Sequence, residues 1–217
     1  MKSTKIPEGT PFFENINPQN IPQILHSLSA VRKNYGKKEG ILWEGDMVTD
    51  IGILLCGSAL SLKTDITGKQ VIVTLIKPGS YIGVLLAADQ GRRSPVTVQA
   101  AEASSVLFIP CQNLLTRNNC PEHALLLHNL LQGIAEKALV LHERNDCLIK
   151  PSIRAKVLTF LSQEADKAGS RSFSVPLNRA AMAEYLDVDR SALSRELSHM
   201  KADGLIDYNR SYFHLLK

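Results

Sequence analysis

The sequence has no Cys-x-x-Cys pair and no cysteine in its first thirty residues; its four cysteines, Cys56, Cys111, Cys120 and Cys147, stand far apart. Zinc-ribbon and clustered iron–sulfur sites therefore lack their ligand spacing, and reduced, mostly buried thiols are expected. No stretch approaches the ~18 uninterrupted apolar residues of a membrane span. The segment Met1 to Gly9 is polar with no apolar signal core, so a soluble, cytoplasmic chain with no membrane partner is expected. None of the six histidines (His26, His123, His128, His142, His199, His214) lies between residues 31 and 110. No Walker-type glycine loop, Ser–His–Asp arrangement or internal repeat is evident, and no catalytic residue, metal site or cofactor is assigned. Neither charge dominates: 25 Lys+Arg against 21 Asp+Glu leaves +4, too little to demand a polyanionic partner.

With 44% hydrophobic and 21% charged residues, the 217-residue chain is globular, long enough for one large or two ordinary domains. From about Val31 to Pro110 it reads as short apolar strands, such as Ile51–Cys56, Val71–Ile76 and Val96–Ala100. Glycine turns separate them at Glu44-Gly-Asp46, Thr67-Gly-Lys69, Lys77-Pro-Gly79 and Gln90-Gly-Arg92. That texture predicts a β-sandwich or jelly roll. From Pro121 to Asn145 the period becomes helical, and Leu127, Leu131, Ile134, Ala138 and Leu141 recur at alternating spacings of four and three. This reads as a coiled-coil seam for a second copy, leaving Leu125, Leu126, Leu130 and Leu139 for the helix's own domain; a helix packed wholly on its own domain is the alternative. Pro151 then breaks the chain, and a hinge is expected there.

The strongest signal lies in Leu177–Lys201. Asn178 caps a helix with core positions Ala181, Met182 and Leu186; Asp187-Val188 is a turn. Asp189 caps a second helix with Ala192, Leu193, Leu197 and Met200 inward and Arg190, Ser191, Ser194 and Arg195 outward. An amphipathic helix at Ile153–Ala168 and a short strand at Phe173–Val175 precede it. Two strands, Leu205–Tyr208 and Tyr212–Leu216, close it around Asn209-Arg210-Ser211. That order makes a winged helix-turn-helix and implies double-stranded DNA as partner. Residues 148–217 hold 11 basic and 8 acidic side chains, so the small excess sits where DNA would. Asn178, Arg179, His199 and Arg210 are expected at phosphates, and Arg190 and Arg195, with Ser191 and Ser194 beside them, at base edges.

Glu44-Gly-Asp46, Gly57, Gly68, Pro78-Gly79, Ile82-Gly83, the long helix and Asp189-Arg-Ser-Ala-Leu-Ser-Arg195 together resemble the cyclic-AMP receptor protein / fumarate–nitrate regulator family of bacterial transcription factors, over nearly the whole chain. The resemblance implies an α+β architecture: a β-roll effector domain (1–120), a dimerisation helix (121–147) and a winged helix-turn-helix (148–217). It further implies a homodimer on a near-palindromic site with half-sites one helical turn apart. RNA polymerase is a further candidate partner.

The departures from the family pattern are informative. Nucleotide-binding members place a Glu after the glycine matching Gly83, where this chain has Val84, and supply Thr and Ser to the purine where it has Leu139 and Val140. The family's phosphate-holding Arg-Ser pair is kept as Arg93-Ser94, next to Arg92. These residues (Gly83, Val84, Arg92, Arg93, Ser94, Leu139) point to a small effector other than cyclic AMP, with an organic acid as candidate. Surface charge is the alternative reading of Arg92 and Arg93. The oxygen-sensing branch's amino-terminal cysteines are missing, and no haem ligand can be matched, His26 and the cysteines being the remaining donors. A thiol switch at Cys111, Cys120 or Cys147 is an alternative, with Cys120 on the seam register. In the recognition helix Ser191 replaces the family's Glu, so the preferred half-site should differ. A cupin-like enzyme, the alternative of another class, lacks histidine ligands in the roll.

Overall fold

The computed structural model describes residues 6–7, 9–64, 68, 70–89, 92–116 and 122–216. The chain forms two compact units, Met1–Gly133 and Ile134–Lys217.

The first unit is built on strands β1 (Val31–Tyr35), β2 (Gly40–Leu42), β3 (Asp50–Cys56), β4 (Ala59–Thr64), β5 (Gln70–Ile76), β6 (Tyr81–Ile82), β7 (Thr97–Ala100) and β8 (Ser104–Pro110). They pair into two four-stranded antiparallel sheets, ordered β1-β8-β3-β6 and β2-β7-β4-β5. The central strands β3 and β8 are buried on both faces, which is why they read as near-continuous apolar runs. Leu54, Ala59, Ile82, Val98 and Val106, drawn from both sheets, meet in one apolar cluster, so the strands form the expected β-roll. Edge strand β5 departs from that pattern: its β-branched residues make a strand, yet Val71, Ile72, Val73 and Leu75 are exposed.

The chain passes from one sheet to the other between β3 and β4, and back between β7 and β8. The two corners nest: the Ala101 amide donates to the Ser58 carbonyl (2.8 Å), and the Ser104 hydroxyl donates to the same oxygen (3.0 Å). Gly57 makes the first corner with φ +80°, and a Cβ there would lie 2.4 Å from Ser104 Oγ and 2.5 Å from the Ala103 carbonyl. Both the conformation and the space require glycine.

Three short helices, α1 (Ile21–Ser27), α2 (Val84–Ala88) and α3 (Cys111–Leu115), precede α4 (His123–Leu148), which runs 26 residues through the division between the units. Pro121 and Cys120 lie outside the described residues, as do Thr67, Lys69, Gln90 and Gly91 of the expected turns. The beginning of α4 belongs to the first unit. Leu126 and Leu130 are buried, Asn129 Nδ2 donates to the carbonyls of Phe12 (3.1 Å) and Glu14 (2.9 Å), and Gly133 leaves a notch for the Tyr81 ring. Its last turns belong to the second unit, where Cys147 enters the core. By length and composition alone α4 could cross a membrane, although its sequence sets Glu136 and Lys137 in the middle.

The second unit adds α5 (Ile153–Ala168), β9 (Ser172–Ser174), α6 (Arg179–Leu186), α7 (Arg190–Ala202), β10 (Ile206–Asn209) and β11 (Tyr212–Leu215), with the strands ordered β10-β11-β9. The Ser152 hydroxyl caps α5 and Gly169, at φ +59°, ends it, which explains why its bounds were readable. Val157, Phe160, Leu161, Met182, Leu186, Leu193, Leu197, Met200, Ile206 and Phe213 form the core. Ala183 is buried there and Ala181 only partly, a shift of the α6 inner face from the expected one. Pro151 marks a bend rather than a loose joint: across it Gln163 Nε2 donates to the Glu143 carbonyl (3.1 Å) and Lys167 pairs with Glu143 (2.7 Å).

Gly57→Ala forces a methyl group into backbone at a left-handed position, and a loss of about 2–4 kcal/mol is expected. Urea unfolding followed by circular dichroism measures it.

Candidate functional site

Helices α6 and α7 have 8 and 13 residues, too short to persist unless their ends are satisfied. Asn178 Oδ1 accepts from the amides of Ala180 and Ala181, both at 3.0 Å, as the sequence predicts for a cap. At the other end Asp187 turns left-handed (φ +51°), the Val188 amide returns to the Ala183 carbonyl (3.0 Å), and α6 stops. The last carbonyls of α6 receive two basic side chains. Arg144 donates to Tyr185 (3.0 Å) and Glu184 (3.3 Å), and Lys156 to Leu186 (3.1 Å). Sequence reading assigned neither, since both lie outside the motif.

Asp189 caps α7 as expected, accepting from the amides of Ser191 and Ala192, each at 2.9 Å, and from the Ser191 hydroxyl. That hydroxyl is foremost in holding the Asp189 carboxyl below its ordinary range, followed by the Ala192 amide. Leu193, Leu197 and Met200 face inward with no exposed surface. Arg190, Ser191, Ser194, Arg195 and His199 are all exposed on the outer side. The hydroxyls of Ser191 and Ser194 already donate within the helix start, Ser194 to the Arg190 carbonyl at 2.9 Å. They retain acceptor lone pairs for a ligand.

The hairpin β10–β11 turns through Arg210, a non-glycine residue at φ +53°. Arg179 fixes this turn: its Nη2 donates to the Arg210 carbonyl (2.9 Å), and its guanidinium lies over the rings of Tyr208 (5.0 Å) and Phe213 (4.9 Å). Burial pushes the Arg179 pKa down. The sequence assigns Arg179 to a phosphate; the structure gives it a framework task, packed under the wing. The same sheet aligns Ser172, His214 and Asp207, an arrangement invisible in sequence, with Ser172 Oγ 2.6 Å from His214 Nδ1. Asp207, which would have to orient the imidazole in a nucleophilic triad, is held by Lys201 and the Tyr208 amide.

In the first unit Gly83, at φ +69°, begins α2, and Val84 is buried. Residues 92–94 are zipped to the Gly45–Val48 loop through Ser94 N to Asp46 O (2.8 Å), Gly45 N to Ser94 O (2.8 Å) and Val48 N to Arg92 O (3.1 Å). Ser94 is 2% exposed and its hydroxyl donates to the Val96 carbonyl (2.7 Å), so the hydroxyl assigned to an anion is turned into the loop. Arg93 Nη1 donates to the Gly45 carbonyl (2.8 Å) with the residue exposed, and Arg92 pairs with Asp89. Leu139 belongs to the second unit and is 60% exposed, rather than serving its own domain as the sequence suggested. Of the seam, Leu131 (66%) and Leu141 (64%) are exposed, as is Ala138, while Leu127 and Ile134 are partly covered. Cys111 and Cys147 are buried, and burial pushes both thiols above their ordinary range, with Asp50 and Asp146 acting in the same direction. Cys56 is exposed; Cys120 lies outside the described residues. Among the described residues no cluster of His, Cys, Asp and Glu is placed to hold a metal ion.

The lowered Asp189 pKa sets a pH dependence. A depressed carboxyl contributes stability that is present above its unfolded value and lost as pH falls through its folded one. The stability advantage of the wild type over Asp189→Ala is therefore expected to be full near neutrality and to shrink below about pH 4; urea titrations at a series of pH values check it.

Residues 32–116 match the cyclic nucleotide-binding domain family and residues 155–217 the Crp-like helix-turn-helix domain family. The transcriptional activator protein FnrL of Cereibacter sphaeroides is 22% identical over 188 residues, covering 80% of this chain and 71% of that protein. The cyclic AMP receptor protein of Thermus thermophilus is 21% identical over 199 residues, covering 92% and 89%. Among solved structures, CprK complexed with OCPA superposes with a TM-score of 0.58 at 16% identity, covering 90% of this chain and 89% of that one. The c-di-GMP responsive regulator CLP of Xanthomonas campestris gives 0.53 at 14%, covering 93% and 100%. With both domain families in this order, and with a β-roll and a winged helix-turn-helix as the two units, the chain belongs to the cyclic-AMP receptor protein / fumarate–nitrate regulator family of transcription regulators.

Proposed function

We propose that this regulator is a cytoplasmic homodimer that reads a near-palindromic DNA site through α7 and is switched by a small effector other than cyclic AMP, with no membrane partner. The observation that carries the DNA reading is α7 itself. Both of its arginines are exposed at the amino-terminal end, on a helix whose start is capped and whose inner face is wholly buried. Helices that enter the major groove present that end to base edges, and bidentate arginine–guanine contacts are the commonest direct readout. Asn178, His199 and Arg210, exposed around it, suit phosphates.

Support for the dimer is the apolar stripe of α4 with Leu131 and Leu141 exposed. Support for a different effector is Val84, a buried side chain with no hydrogen-bonding group where nucleotide-binding relatives need an acceptor. Arg93 keeps a positive charge at the surface, which favours an acid. Burial of Cys111 and Cys147 weighs against their acting as a redox switch. RNA polymerase is a further partner in this reading. The effector biases the dimer between states in which the two recognition helices are well or badly spaced for DNA.

Site selection from random DNA followed by gel shift tests the reading: a two-fold sequence is expected, and a protein that enriches none would contradict it. Arg195→Ala should weaken binding by about 1–3 kcal/mol and relax specificity at one base pair. Leu141→Glu, a charge placed on the seam, should shift sedimentation of the intact chain from dimer towards monomer.

A further inference from the structure

Arg154 stands in the first turn of α5, some forty residues before α7, yet its guanidinium grips that helix at two points. Nε lies 2.6 Å from Glu196 Oε1, and Nη1 lies 2.7 Å from Asp203 Oδ2. Glu196 lies within α7 and Asp203 is the residue that closes it, seven positions on and about 10 Å further along the axis. A single ion pair leaves a helix free to roll or slide against its neighbour; a planar fork anchored at both ends of a two-turn span restrains both motions. Glu196 immediately follows Arg195, so any roll at Glu196 swings Arg195 with it.

Its surroundings suit positioning better than general stabilisation. The Arg154 side chain is 40% exposed and Asp203 49%, so water screens much of the attraction, and an ion pair so exposed adds little to folding. The hydrophobic face of α7 is already complete in Leu193, Leu197 and Met200. The second contact, at the far end of the span, adds restraint on the angle of the helix.

We propose that Arg154 is a positioning residue for sequence reading: it touches no base, and it sets the rotation of α7 so that Arg195 meets its base pair. This inference rests on the reading of α7 as the recognition helix. The test measures affinity of the full chain, against salt, for the selected site and for the same site changed at the Arg195 base pair. Wild type is compared with Arg154→Gln, Arg154→Lys, and Glu196→Gln combined with Asp203→Asn. Loss of folded protein lowers both affinities alike and leaves their ratio unchanged, so the ratio isolates positioning. The expected result is a roughly tenfold smaller ratio in Arg154→Gln and in the double variant, partial recovery in Arg154→Lys, and a wild-type salt slope in Arg154→Gln, because no phosphate contact is removed. An unchanged ratio in both clamp-breaking variants overturns the clamp while leaving the DNA reading in place. A salt slope shallower by about one in Arg154→Gln makes the residue a phosphate contact and overturns it too. A wild-type chain that selects no sequence overturns the DNA reading and this inference together.

Discussion

Short helices have more unsatisfied backbone groups than they have turns to spread them over, and that constraint governs the carboxy-terminal unit. α6 has 8 residues, so a large share of its amides and carbonyls has no partner within the helix. Asn178 takes the first amides; Arg144 and Lys156 take the last carbonyls; Asp189 takes the first amides of the next helix. Asn178 and Asp189 cap their own helices, whereas Arg144 comes from α4 and Lys156 from α5, so satisfying the end of α6 also ties those two helices to it. Arg179 extends the same logic to the hairpin, giving the left-handed Arg210 turn a donor for its carbonyl. The exposed arginines of α7 are held in place by this polar framework around the core.

What was legible in the sequence is what local chemistry determines. Caps at Asn178 and Asp189, the amphipathic period of α5 and heptad spacing each act within a few residues, so α5, the capped starts of α6 and α7, and the helical seam could be read directly. Apolar runs broken by glycine turns gave the strands and a sandwich or jelly roll, and the family resemblance gave the roll. Contacts between distant segments left no local mark. Nothing near Arg144, Lys156 or Arg154 distinguishes them from solvated cations, and nothing near Arg179 shows that it lies beneath two aromatic rings. Leu139 looked like a residue for its own domain because apolar residues usually are; its exposure depends on where the first unit stops covering α4. Pro151 looked like a hinge because proline interrupts helices, and the ties from Glu143 to Gln163 and Lys167 lie outside any pattern centred on it.

In the first unit Val84, the apolar residue after Gly83, is buried at the start of α2. The loop carrying Arg92–Ser94 closes on Gly45–Val48 through backbone bonds, and Ser94 turns its hydroxyl inward with it. Two exposed cations remain there, both engaged: Arg92 with Asp89 and Arg93 with the Gly45 carbonyl.

The shared ownership of α4 has an evolutionary consequence. Because Glu143, Arg144 and Cys147 are built into the carboxy-terminal core and its helix caps, a fragment beginning after Leu148 would remove Cys147 from that core and strip the end of α6. Recombination within residues 134–142, which neither unit buries, would leave both cores whole. That stretch is a natural graft point, where a lineage can exchange the first unit while inheriting the second intact.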